Sequence, residues 1–130
     1  MNIPARLLII DDEERIRQLM LDYLEDHDEF EVRLCGSAEE ALDMLAREPA
    51  DVCIVDTRLP GMDGLTFIET ARRQTLCPRF MLHTGSVELA SPPALAECGL
   101  PEDDVFLKPC DMERMIARMR ALLWPDGETA

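Results

Sequence analysis

Basic residues are scarce in this 130-residue sequence: 13 Lys and Arg stand against 27 Asp and Glu, for a formal net charge of −14. Nucleic-acid affinity comes mostly from Lys and Arg neutralising phosphates, so the deficit argues against direct binding of nucleic acid. It argues equally against an anionic membrane surface. A solvated acidic surface that aids solubility accounts for the excess. No apolar stretch approaches the length of a membrane span, and the opening MNIPAR runs straight into a strand-like segment, so no signal peptide is expected. Cys-x-x-Cys spacing is missing too. Cys35, Cys53, Cys77, Cys98 and Cys110 are scattered and odd in number, which fits free thiols in a reducing cytoplasm and not a disulfide framework or zinc site. Cys53 reads as a small core residue, and Cys110 has no resolving thiol arranged beside it for a redox role. Repeats, low-complexity tracts and linkers are lacking as well. One domain over residues 1–130 is expected, with a core over about 5–124, no output domain and a frayed tail from Pro125. An apolar fraction of 47% excludes disorder.

What the sequence does have is four apolar runs, each ending in a polar residue: LLIIDDE from Leu7 to Glu13, VCIVDT from Val52 to Thr57, FMLHTG from Phe80 to Gly85, and VFLKP from Val105 to Pro109. They are too short and too apolar for exposed helices and read as strands buried on both faces of a parallel sheet. Between them lie helical patterns. Ile16, Leu19, Met20, Tyr23 and Leu24 form one face of a first helix. Phe30 to Leu34 alternates like a half-exposed edge strand. Ser37 and Glu40 make a capping box ahead of Ala38, Ala41, Leu42 and Leu45, and Pro49 stops that helix. A turn-rich loop from Thr57 to Gly64 precedes a third helix carrying Leu65, Ile68 and Ala71. Pro92-Pro93 and Gly99 bracket a short or late-starting fourth helix. Asp111 caps a fifth, whose Met112, Met115, Ile116, Met119, Leu122 and Leu123 face inward. Five strand-then-helix units with right-handed crossovers give an α/β fold, a flavodoxin-like doubly wound sheet in the order 2-1-3-4-5 with helices on both faces.

In such sheets the functional site lies outside the carboxyl ends of the strands. Asp11, Asp12, Asp56, Thr84 and Lys108 would be delivered there. Two like charges about 4 Å apart repel by roughly 4 kcal/mol at an effective dielectric near 20, so three carboxylates need counter-charge. Lys108 supplies one, and a hard divalent ion supplies more. An all-oxygen set suits Mg²⁺ better than zinc. A carboxylate such as Asp56 can attack phosphorus, with Lys108, Thr84 and backbone N–H groups around the transferring oxygens. His83 is expected to point away from this crevice as a satisfied structural histidine, and His27 to sit solvated in a turn.

The acidic pair Asp11-Asp12, Asp56, the loop Leu59-Pro60-Gly61-Met62-Asp63-Gly64, Thr84 and Lys108-Pro109, in that order at strand ends, resemble a response-regulator receiver domain of bacterial two-component signalling, in the single-domain, chemotaxis-regulator-like form. The resemblance covers about residues 5 to 124. It implies that Asp56 is the phosphoacceptor, charged by a sensor histidine kinase or histidine phosphotransfer protein. It implies that Asp12 and Asp56 bind Mg²⁺ directly, Asp11 directly or through water, and that the Arg58 carbonyl completes the protein ligands. Lys108 would pair with the phosphoryl oxygens, and Thr84 would move toward them with its loop. Side chains at Arg58 and Ser86 would tune self-dephosphorylation. The implied function is a phosphorylation-controlled switch that acts on a downstream protein target, and not a metabolic enzyme. Two departures stand out. Val105 occupies the position where many receivers carry an aromatic switch residue, with the aromatic displaced to Phe106, and Pro92-Pro93 should reshape the fourth helix. The alternatives are a degenerate receiver acting as a phosphorylation-independent binding module, favoured by Val105 and the diproline, and a small Mg²⁺-dependent phosphohydrolase. The latter would want a second acid/base and a lid. A flavin carrier would want a phosphate-binding loop where this chain has acids.

Overall fold

Each apolar run forms a strand, and each amphipathic stretch packs on one of two faces. The structure, a computed structural model, describes residues 3–86 and 92–127. The elements are β1 (Ala5–Ile10), α1 (Glu14–Leu24), β2 (Phe30–Cys35), α2 (Ala38–Arg47), β3 (Val52–Val55), α3 (Gly64–Arg73), β4 (Phe80–Thr84), α4 (Pro92–Cys98), a 3₁₀ turn (Glu102–Asp104), β5 (Val105–Leu107) and α5 (Met112–Leu123). All strand pairings are parallel and the order is β2-β1-β3-β4-β5, as the pattern predicts.

Strand alternation splits the interior in two. Leu8 and Ile10 of β1 join Cys53, Val55 and Leu82 beneath α2, α3 and α4, where Ala41, Leu45, Phe67, Ile68 and Leu95 close the layer. Leu7 and Ile9 face the other way with Ile54, Met81 and Phe106, under Met20 and Leu24 of α1 and Met115, Ile116 and Met119 of α5. The methionine stripe of α5 is therefore core. Phe106 belongs to this second layer and Val105 packs against the first.

Helix starts follow local chemistry. Ser37 Oγ accepts from the Glu40 N–H at 3.1 Å, Asp63 from the Thr66 N–H at 2.8 Å, and Asp111 from the Glu113 N–H at 2.9 Å. Gly99 takes φ +71°, and the Leu100 N–H reaches back to the Leu95 carbonyl at 3.1 Å, ending α4. Both prolines of the diproline fall in the first turn of α4, where no intrahelical N–H is needed. The stretch 87–91 before it, and residues 128–130 of the tail, lie outside the described residues.

Several expectations are corrected. β5 is not buried on both faces: it is the sheet edge, and Leu107 is 46% exposed. β1 starts two residues early, at Ala5. The apolar face of α1 is narrower than its stripe, with Leu19 56% and Tyr23 37% exposed. Tyr23 instead hydrogen-bonds Glu113 of α5. His27 is half-buried, with its ring near those of Tyr23 and Phe30.

Candidate functional site

Sheet register brings the polar ends together. Ile10 is level with Val55 across the β1–β3 pair, so Asp11 and Asp56 leave adjacent strands at the same height. Thr84 is level with Leu107, which puts Lys108 one step beyond on the same rim. Carboxylate oxygens of Asp11, Asp12 and Asp56 all lie within 4.8 Å of one another, Asp11 and Asp56 buried and Asp12 exposed. The Lys108 ammonium donates to Asp11 Oδ2 at 2.7 Å and to Asp56 Oδ2 at 3.1 Å, and lies 3.9 Å from Glu13. Residues 97 and 52 positions apart in the chain thus form one charge cluster.

The two acids after β1 are not the cap of α1. That position is Glu13, which makes no side-chain cap bond. Asp11 Oδ1 instead accepts from the Glu13 N–H at 2.9 Å, and the Arg17 guanidinium donates to the Asp11 carbonyl at 2.6 Å. Asp11 is therefore held by both its backbone and its side chain, with Asp12 left free to face solvent.

Asp56 is fixed at both oxygens: the Arg58 N–H donates to Oδ1 at 3.2 Å while Lys108 holds Oδ2. Burial pushes its carboxyl above the usual range; the bonds from Lys108 and Arg58 pull the other way, and the Asp11 charge adds to the rise. Burial alone would depress the Lys108 ammonium, but its bonds to Asp11 and Asp56 prevail and raise it, so it stays charged. Behind Asp56 the loop returns tightly. Gly64 donates its N–H to the Thr57 carbonyl at 3.0 Å, and a Cβ on Gly64 would fall inside contact distance of the Asp56 carbonyl. Gly61 has φ +74°, against which the Glu39 carboxylate packs, and Glu39 also accepts from the Met62 N–H at 3.1 Å.

Thr84 lies fully buried, its hydroxyl 2.6 Å from that of Thr57 and accepting from the Ser86 N–H at 3.0 Å. Thr57 is the partner that sequence reasoning missed; a hydroxyl residue directly after Asp56, at the end of the same apolar run, was its only signal. Glu13 and Arg17 were missed as well, being indistinguishable in sequence from other charges on an exposed helix. Arg58 has its side chain exposed, and Ser86 is buried beside Thr84. Val105 and Phe106 are packed into opposite core layers.

His83 does point away from the crevice, but it is not satisfied. It is 6% exposed and its Nδ1 has no hydrogen-bond partner among the described residues. Burial drives its pKa down to about 4, with Lys108 adding to the effect.

The donor set fits a hard divalent cation. It is all oxygen, it converges on one point, and a single ammonium leaves three carboxylates under-compensated. A doubly wound parallel sheet in the order β2-β1-β3-β4-β5 defines the flavodoxin-like class of α/β proteins. The family model described as "Response regulator receiver domain" matches residues 7–120, and the chain belongs to that family, whose members are phosphorylation-controlled switches of two-component signalling.

Among curated relatives, the transcriptional activator protein PfeR of Pseudomonas aeruginosa is 32% identical over 123 residues, covering 94% of this chain and 39% of that protein. The transcriptional regulatory protein BaeR of Escherichia coli is 32% identical over 122 residues, covering 94% of this chain and 49% of that protein. The chain thus spans about half or less of the length of these relatives. Among solved structures, the chemotaxis response regulator CheY4 of Vibrio cholerae superposes with a TM-score of 0.79 at 25% identity, covering 93% of this chain and all of that one. A response regulator from Chloroflexus aurantiacus gives 0.77 at 30% identity, covering 92% and 98%. Among the described residues, no helix is long and apolar enough to cross a membrane.

Proposed function

We propose that Asp56 is the phosphoacceptor of this chain and that Asp11, Asp12 and the Arg58 carbonyl join it in holding Mg²⁺. The observation that carries this reading is the convergence of the three carboxylates with Lys108 bonded to two of them. Bound Mg²⁺ would supply charge neutralisation at the transferring phosphoryl oxygens. Asp56 presents a carboxylate oxygen to the phosphorus of a phosphohistidine. The P–N bond breaks, the imidazole leaves and takes up a proton, and an aspartyl phosphate forms. Lys108 already lies against the Asp56 carboxylate, within reach of the oxygens of a group added there. Thr84 must give up its bond to Thr57 to reach another of those oxygens. The roughly two added negative charges would then draw the Thr84 hydroxyl and the Ser86 backbone with it, resetting the loop after β4. Exposed Arg58 and buried Ser86 would tune its slow hydrolysis.

The phosphoryl donor in this reading is a sensor histidine kinase or histidine phosphotransfer protein, and the output is contact with a downstream protein, all in the cytoplasm and within the one domain of residues 1–130. Direct contact with nucleic acid is opposed by the charge of −14.

Incubation with acetyl phosphate and Mg²⁺, followed by intact mass measurement, tests the reading. A single phosphoryl adduct is expected on the wild type, none on Asp56→Asn, and none after chelation. An equal adduct on both proteins would place the acceptor elsewhere.

A further inference from the structure

Beside the acidic rim, on the face covered by α1 and α5, lies a pocket of about 330 Å³ whose walls include Ile16, Leu19, Met20, His83, Cys110 and Met112. The acidic site uses none of these side chains. Four of them carry the ligand atoms that soft metal ions prefer: an imidazole nitrogen, a thiol sulfur and two thioether sulfurs.

The geometry is specific at two points. Cys110 Sγ and Met112 Sδ stand 4.0 Å apart. Two bonds of roughly 2.3 Å from a d¹⁰ ion to sulfur, meeting near 120°, span about that distance. The second point is His83. Its side chain lies on the Met81 side of β4 by alternation, level with inward-facing Phe106 of β5, and it lines the same pocket. It is 6% exposed, and its Nδ1 is a buried side-chain nitrogen with no hydrogen-bond partner among the described residues. A buried polar atom left unpaired in a native fold calls for an explanation, and an ion is among the standard ones.

From this juxtaposition we infer that the pocket is a Cu(I) site, with Cys110, Met112 and His83 as ligands and Met20 as a fourth soft group at its wall. Charge favours this ion over zinc. Cys110 gives up its thiol proton to solvent on binding, and one thiolate then neutralises one monovalent cation. A neutral unit suits walls built from apolar side chains, whereas a divalent ion would leave a net charge buried there. Thioethers are also poor zinc ligands. No electron transfer is involved. His83, held neutral by burial, offers its lone pair without first losing a proton. Lys108, whose side chain borders the pocket, keeps its ammonium on Asp11 and Asp56. A metal seated between α1 and the start of α5 would therefore lie next to the phosphoryl site without sharing a ligand with it.

The test is anaerobic titration of the whole chain with Cu(I), supplied as its acetonitrile complex in competition with a chromogenic chelator, alongside ¹⁵N spectra of the His83 ring. One equivalent is expected to bind with a shift of the His83 Nδ1 resonance. Affinity should fall roughly tenfold or more in both Cys110→Ser and Met112→Leu, and stay at the wild-type value in Cys98→Ser. Met112→Leu keeps the apolar bulk of its position, so it decides the matter if Cys110→Ser fails to fold by circular dichroism. Wild-type affinity in Met112→Leu, an unmoved His83 resonance, or loss of binding in Cys98→Ser would each overturn the assignment. None of these readouts depends on phosphorylation of Asp56, so the two readings stand or fall separately.

Discussion

At the scale of single residues, His83 makes a buried imidazole visible in stability. Its pKa is depressed from the ordinary 6.5 to about 4, so between those values the unfolded chain binds a proton that the folded chain refuses. Stability is then full above pH 6.5 and falls as pH drops toward 4. At about 1.4 kcal/mol per pH unit, the wild type should lose about 2 kcal/mol between pH 6.5 and 5. Asp56 works in the opposite sense. Its raised pKa adds stability below the ordinary 3.8, and that stability fades as pH climbs through the folded value. Comparing urea denaturation of the wild type and His83→Asn at the two pH values isolates the histidine. The variant should show a loss smaller by about 2 kcal/mol, and parallel losses would remove His83 as the cause. The same scale shows what adjacency in sequence hides. Thr84 was legible as a polar strand end, but its engagement with Thr57 follows from the closeness of β3 and β4.

Among the elements, the junction of β3 with α3 is the one that most constrains the site. The chain leaves Val55, presents Asp56, and is back in contact with the same backbone by Gly64. A methyl group at position 64 would meet the Asp56 carbonyl and the Thr57 Cα, both backbone atoms that cannot swing aside. Gly64→Ala should therefore destabilise by about 2–4 kcal/mol in urea denaturation and lower the phosphoryl yield at Asp56. Gly85→Ala is the matched control, because none of the described residues lies within 4 Å of a Cβ there; its midpoint should stay within about 0.5 kcal/mol of wild type. Equal effects at both positions would mean that the close approach is not what matters. The caps Ser37 and Asp111 were readable in advance because they are local, each bonding an N–H two or three residues on, whereas Asp63, which caps α3 through the Thr66 N–H, lay in a stretch read as a turn-rich loop. The packed face of α1 was not, because Leu19 and Tyr23 fit the helical stripe yet find no layer above them.

For the whole molecule, the excess of acid sets a long-range term. A net charge of −14 on one small domain repels itself, and the folded state holds those charges closer together than the unfolded chain does. Raising NaCl from about 0.02 M to 0.5 M shortens the screening length several-fold, and the melting temperature should rise by roughly 3–5 °C, equivalent to about 1 kcal/mol. A flat or falling melting temperature would show that surface pairs such as Arg120–Glu29 and Arg33–Glu48 already balance the field. Mg²⁺ should exceed Na⁺ at equal ionic strength, through the carboxylates at the rim.

Sequence by itself determined the strands, the order of the sheet and the rim on which Asp11, Asp12, Asp56, Thr84 and Lys108 would appear. Apolar periodicity and strand-end polarity are local signals, and parallel connections leave few ways to join them. The tertiary structure alone decided which ammonium neutralises which carboxylate, that Thr57 holds Thr84, that Leu107 of β5 is half-exposed, and that His83 Nδ1 is buried with no hydrogen-bond partner among the described residues. Those outcomes depend on distances between residues remote in the chain. Such distances are set by strand register and by which helix covers which face, and no window of the sequence contains them.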